Sequence, residues 1–188
     1  FKTLGNAERL KIAGQLGIGQ DKAEGAVQTG LSVLTGALAR NASKPAGAAS
    51  LDQALTKDHD GSIFDRIGDF LGNASAGPGS AILGHVLGRQ QSSVTAAVGQ
   101  QTGLNAAQSS NLLVTLAPLV MGALGKLKSQ QGLDASGVAG ALATEKQQIE
   151  QEASGGLGGL LSMVGGGGAG GILGKILGFV KGLFAKKS

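Results

Sequence analysis

Residues 17–40 and 103–126 read as one segment written twice, 86 positions apart and without a gap. Gly17-Ile18 answers Gly103-Leu104, and Gly36-Ala37-Leu38 answers Gly122-Ala123-Leu124. Between them Val27, Val33 and Leu34 stand opposite Leu113, Leu119 and Val120, and Thr29 opposite Thr115. Only five of 24 positions are identical, so the match rests on apolar pattern as much as on identity. A repeated long helix constrains the fold strongly. Neither copy can bury its apolar stripe alone, and stacking two related units is the simplest way to cover both.

The rest of the body reads as helix. Leu4, Leu10, Ile12 and Leu16 place a short helix over 4–16. The first repeat copy follows at about 20–41, with Asp21 and Glu24 spaced to box its start. Lys44-Pro45 ends it, because a residue before proline resists helical torsions. Ser50-Leu51-Asp52-Gln53 has the spacing of a capping box and predicts the next helix. Two short amphipathic segments come next, each opening on a serine (Ser62, Ser80) and closing on a glycine (Gly72, Gly88) suited to a left-handed cap. A helix near 92–101 leads to the second copy, which Asn105 and Gln108 should cap and Pro118 should kink. Asp134 opens a last body helix. No run combines two-residue alternation with β-branched enrichment, so no strand is expected.

Composition decides what can fill the core. There are 35 Gly and five Phe, with no Trp, Tyr or Cys. Leu, Ile, Val and Ala must therefore supply the interior, and small side chains let helix backbones approach closely. Without Cys there are no disulfides and no thiolate metal ligands. From residue 153 the character changes, with 13 Gly among the last 36 residues. Each interior Gly costs a helix about 0.8–1 kcal/mol, so 153–171 reads as a linker or close-packing segment. Residues 172–188 then regain a stripe: Ile172, Leu173, Ile176, Leu177, Val180, Leu183 and Phe184 on one side, with Lys175, Lys181, Lys186 and Lys187 for the polar side. The expected architecture is all-α and multihelical. A body over 1–152 holds two related helical units, each centred on a long helix, and a Gly-rich tail with a basic amphipathic helix follows.

At Gly36-Ala37-Leu38-Ala39-Arg40-Asn41, Asp58-His59-Asp60-Gly61-Ser62, Ile82-Leu83-Gly84-His85-Val86-Leu87-Gly88 and Leu116-Ala117-Pro118-Leu119-Val120-Met121-Gly122, order and spacing carry a family likeness. The chain resembles bacterial proteins of the domain of unknown function 937 family, which are YidB-like, over roughly residues 15–145. The resemblance implies an all-helical fold and no established activity.

Candidate chemistry is sparse. Asp58 and Asp60, with Asp65 beyond, have the alternate spacing of a calcium loop but lack its third acid and distal Glu, so a helix start is the simpler reading. His59 and His85 are the only histidines, and shared metal or catalytic work would need them side by side with a further ligand or an orienting carboxylate. No nucleophile elbow or phosphate loop is present. The net charge of +4 falls wholly on the tail, and the body has no stacking Trp or Tyr, so nucleic acid is not an expected partner.

The expectation is a non-enzyme without cofactor: a helical module that associates with itself through Ala/Gly-rich faces and the C-terminal helix. A peripheral protein held to an anionic membrane surface by that helix is the alternative. The charge-free stretch Ala153–Gly174 has the length of a membrane span, but its glycines make it a poor inserter. A metal site or enzyme around His59 and Asp60 comes third. The chain starts at Phe1 rather than Met, so the reading admits either bacterial cytoplasm or cell envelope, with room for a cleaved leader.

Overall fold

The computed structural model describes residues 6–74 and 77–152, with side chains from residue 11 to residue 149. The expected tail segments, 153–171 and 172–188, lie outside the described residues. Among the described residues eight α-helices follow in order: α1 (Asn6–Leu16), α2 (Gln20–Ala42), α3 (Pro45–Lys57), α4 (Ile67–Gly72), α5 (Gly79–Leu87), α6 (Gln91–Thr102), α7 (Ala106–Gln131) and α8 (Ala135–Glu152). Short 3-10 turns occupy Ser62–Arg66 and Gly88–Gln90. Among the described residues there is no strand.

The repeat extends to the backbone. Gly17 and Gly103 both take left-handed torsions, with φ of 63° and 67°. The amide of the next residue then reaches five residues back, Ile18 to Ala13 and Leu104 to Gly99, at 3.0 and 3.1 Å. That is the six-to-one bond of a Schellman cap. In each copy one extended residue, Gly19 or Asn105, then starts the long helix. A third joint is built the same way: Gly132 has φ 61°, Leu133 bonds back to the Lys128 carbonyl, and Asp134 precedes α8. The structure therefore falls into two triplets, α1-α2-α3 and α6-α7-α8, bridged by α4 and α5.

The triplets interlock. Each long helix packs against the third helix of the other unit, α2 on α8 and α7 on α3. At their entry ends they brace one another. Lys22 Nζ donates to the Gly103 carbonyl at 2.6 Å, and its repeat counterpart, Gln108, donates through Nε2 to the Leu16 carbonyl at 2.7 Å. Where α2 crosses α7, a methyl on Gly30 would sit 2.6 Å from Leu116 Cδ1, so a larger residue there would require the leucine side chain to shift.

The core is aliphatic, as the composition requires. The largest fully buried side chains are Leu or Ile throughout, among them Leu34, Leu83, Leu112, Leu113 and Leu124, and Phe64 is the aromatic that joins them. Each such side chain contributes about 1.5–3 kcal/mol relative to exposure. Helix α7 is long and apolar enough to cross a membrane, but 67% of that window is buried here, which makes it the core helix. The Ala- and Gly-rich faces are used internally: Ala23, Ala26, Ala37 and Gly30 of α2, and Ala117, Ala123, Gly122 and Gly125 of α7, are all buried.

Several helix ends differ from expectation. Gly19 precedes α2 and no side chain caps it, so Asp21 and Glu24 form no box. Helix α3 begins at Pro45, five residues before the Ser50 box, because a proline at the first helical position forfeits an amide that has no partner there anyway. Ser62 and Ser80 cap nothing; Gly61 and Pro78 stand at those starts. Gly72 keeps negative φ, and α4 ends on Asn73, whose side chain donates to the Asp69 carbonyl at 3.2 Å. One joint matches expectation: Asn105 and Gln108 form the reciprocal box, at 2.9 and 3.0 Å. Gly88 closes α5 with a positive φ of 53°, but its ψ of -131° is not that of a left-handed helical cap. Helix α7 runs unbroken through Pro118. The amide that Pro118 lacks would have gone to the Val114 carbonyl, and Gly79 lies against that oxygen so closely that a methyl on it would stand 2.1 Å away.

Candidate binding cleft

The last turn of α2 carries Arg40 and Asn41 out of the core. Asn41 Nδ2 donates to the Val86 carbonyl at 2.9 Å, which ties the end of α2 to α5. Arg40 donates to the Gln90 side chain, and Ser43 Oγ donates to the Arg40 carbonyl at 2.7 Å. The chain then turns into α3, whose Gly47 presses on the Asn41 carbonyl; a methyl there would be 2.0 Å from that oxygen.

The segment from Asp58 to Ile63 crosses α7 over two glycines. A methyl on Gly125 would fall 1.6 Å from the His59 carbonyl oxygen, and one on Gly122 would fall 2.6 Å from Ile63 Cγ2. Gly61, with φ 98°, turns the chain, and Asp60 Oδ1 accepts the Ser62 amide at 2.9 Å. Those bonds from Ser62 hold the Asp60 carboxyl below its usual range. Burial pushes His59 below the ordinary histidine value, outweighing the opposing pull of Asp58 and Asp60.

These elements enclose an open cleft of about 970 Å³. Its floor is Leu38, Leu51, Ile82, Val86 and Met121, all buried. Arg40, Lys44, His59 and His85 stand along it, with Asp58 the carboxylate among its lining residues. A mixed wall over an apolar floor, at this volume, is the usual form of a small-ligand site. Each of the four segments that carry the family likeness contributes to it: Leu38, Arg40 and Asn41; Asp58 and His59; Ile82, His85 and Val86; and Met121.

The two histidines do share a surface. Asp60 turns into its own loop and Asp65 lies outside the cleft, so the three aspartates do not converge. Among the described residues no group of three or more His, Asp or Glu is arranged to hold a metal ion. Sequence reasoning passed over Arg40, Lys44 and Met121 as site residues. The signal for Arg40 and Met121 was their place inside family motifs; Lys44 joins only through packing.

Fold and cleft together define an all-α, multihelical protein of two interlocked units with a mixed polar and apolar groove lined by the end of α2, α3, the loop after it, α5 and Met121 of α7. The family of bacterial proteins of unknown function designated DUF937 matches residues 1–128, and the chain belongs to that family. The match reaches the first residue and stops before α8, whereas the motifs had suggested 15–145. No curated protein and no solved structure matches the chain.

Proposed function

We propose that the protein is a non-catalytic helical interaction module whose working surface is this cleft. One observation carries the proposal: motifs scattered over more than eighty residues supply the walls of a single groove. The test is a titration of the uniformly labelled full chain, by amide NMR, against small molecules and short peptides of every charge class. Hits should cluster on the backbone of Arg40, Lys44, Ala54, His59 and His85. A library in which no compound maps to those positions would sink the reading.

Self-association is the second part of the proposal, assigned to the basic amphipathic segment 172–188. What favours the tail over the body is that the small-residue faces of α2 and α7 are already covered within one chain. The solution mass of the full chain should exceed that of a chain ending at Glu152, when both are normalised to their monomers. Equal monomeric values would remove self-association and leave the stripe for an anionic membrane, which vesicle flotation reads directly.

A further inference from the structure

We infer that the cleft takes an amphiphilic anion: an aliphatic chain laid along the floor, with a carboxylate or similar head held at the rim by Arg40 and Lys44. The inference rests on the binding reading above and deepens it by naming the ligand class.

Two features of the lining select this chemistry. The floor offers only hydrocarbon and a thioether, from Leu38, Leu51, Ile82, Val86 and Met121. Nothing there can satisfy a polar group, so burying one on it carries a penalty that an alkyl chain avoids. The rim carries the opposite character. Arg40 and Lys44 are two permanent cations against the single carboxylate of Asp58, and His85 stands exposed beside them. Lys44 is exposed as well, at the entry of α3, where no side chain caps the first turn. A cationic ligand would meet Arg40 and Lys44 unfavourably, and a neutral head would leave both without a charged partner. An anion gains charge-assisted hydrogen bonds from either. Arg40 already donates to Gln90, and that bond fixes its planar group while other donors of the fork remain for a ligand.

The cleft's size sets a further bound. About 970 Å³ is ample for a single medium-length chain and its head group. A free inorganic anion would use the rim and leave the floor wet. The geometry therefore points to head and chain together.

The experiment compares three probes of equal chain length with the full chain: dodecanoate, dodecyl maltoside and dodecyltrimethylammonium, each below its micelle concentration, with inorganic phosphate as a fourth. Binding is read by calorimetry and located by amide NMR. Dodecanoate should bind at least about tenfold more tightly than the neutral and cationic amphiphiles, since one charged hydrogen bond is worth roughly that factor. Lys44→Gln, an exposed change, should weaken dodecanoate by about fivefold to tenfold and leave dodecyl maltoside unmoved. Ala54→Trp should fill the groove and abolish binding; unaltered helical circular dichroism checks that it still folds. Equal affinity for all three heads, still mapped to the cleft, would overturn the anion assignment while the binding reading stood. Shifts confined to 172–187 and insensitive to Lys44→Gln would overturn it too, as adsorption to the tail. No dodecanoate binding, with other library hits on the cleft, would do the same.

Discussion

Gly125→Ala sets two physical effects of similar chemistry against each other. Alanine in a helix interior is worth about 0.5–1 kcal/mol over glycine, so the substitution should stabilise α7 where space permits. Space does not permit it. The new methyl would lie 1.6 Å from the His59 carbonyl oxygen, a backbone atom that cannot rotate aside. To restore ordinary contact the loop must retreat by about 2 Å, and overpacking of that kind costs typically 1–3 kcal/mol, occasionally more. The loop resists, because Gly61 at φ 98° and the Asp60–Ser62 bond fix its course. A net loss of about 1–2 kcal/mol follows, a fall in melting temperature of roughly 3–8 °C for a body of this size. Gly25→Ala is the control: Gly25 is exposed in α2 with open space around its Cα, so it should gain about 0.5–1 kcal/mol. Thermal unfolding followed at 222 nm compares them, since a chain without Trp or Tyr gives little near-ultraviolet signal. A Gly125→Ala protein as stable as Gly25→Ala would refute the close crossing of loop and helix.

Two further outcomes are expected. The His59 value is lowered from 6.5, so as pH falls below about 6.5 the unfolded chain takes up the proton first and stability declines until the folded value is reached. His59→Gln should flatten that limb of a melting-temperature profile, while a separate acid loss below 3.8, where Asp60 protonates, should remain. Gln108→Ala removes half of the α7 capping box and the bond to the Leu16 carbonyl together, for about 1–3 kcal/mol in chemical denaturation. Lys22→Ala, its exposed counterpart, should cost under about 1 kcal/mol.

Helices were legible because apolar faces and glycine stops are local signals. Leu112, Leu116 and Leu124 mark the buried side of α7 whatever else the chain does, and Gly103 and Gly88 announce their turns by residue type alone. Helix starts were less legible because several residue types compete for them. The Ser50–Gln53 spacing was sound as a pattern, but Pro45 had already begun the helix. The joint at Gly132-Leu133-Asp134 went unread as a third instance because only backbone torsions reveal its kinship with the other two. The cleft was the least legible part. His59 and His85 are 26 positions apart and are brought to one groove by α7's glycines and by Asn41 holding α5, neither of which has any periodicity.

The interlocking of the two triplets has a consequence for how the chain reaches its native state. Because α2 is covered by α8 and α7 by α3, neither half can complete its own interior, and the decisive encounters join residues roughly 70 to 110 positions apart. Loop closure of that length must precede its reward, so folding should be slow for an all-helical protein and strongly cooperative. It also makes the halves natural complements in trans. Two chains that fold together at high concentration can exchange α6-α7-α8 and satisfy every seam between them, so an intertwined dimer is a misassembly built into the topology. A fragment cut at residue 128, where the family match ends, would lack α8 and leave that face of α2 uncovered even in an exchanged pair.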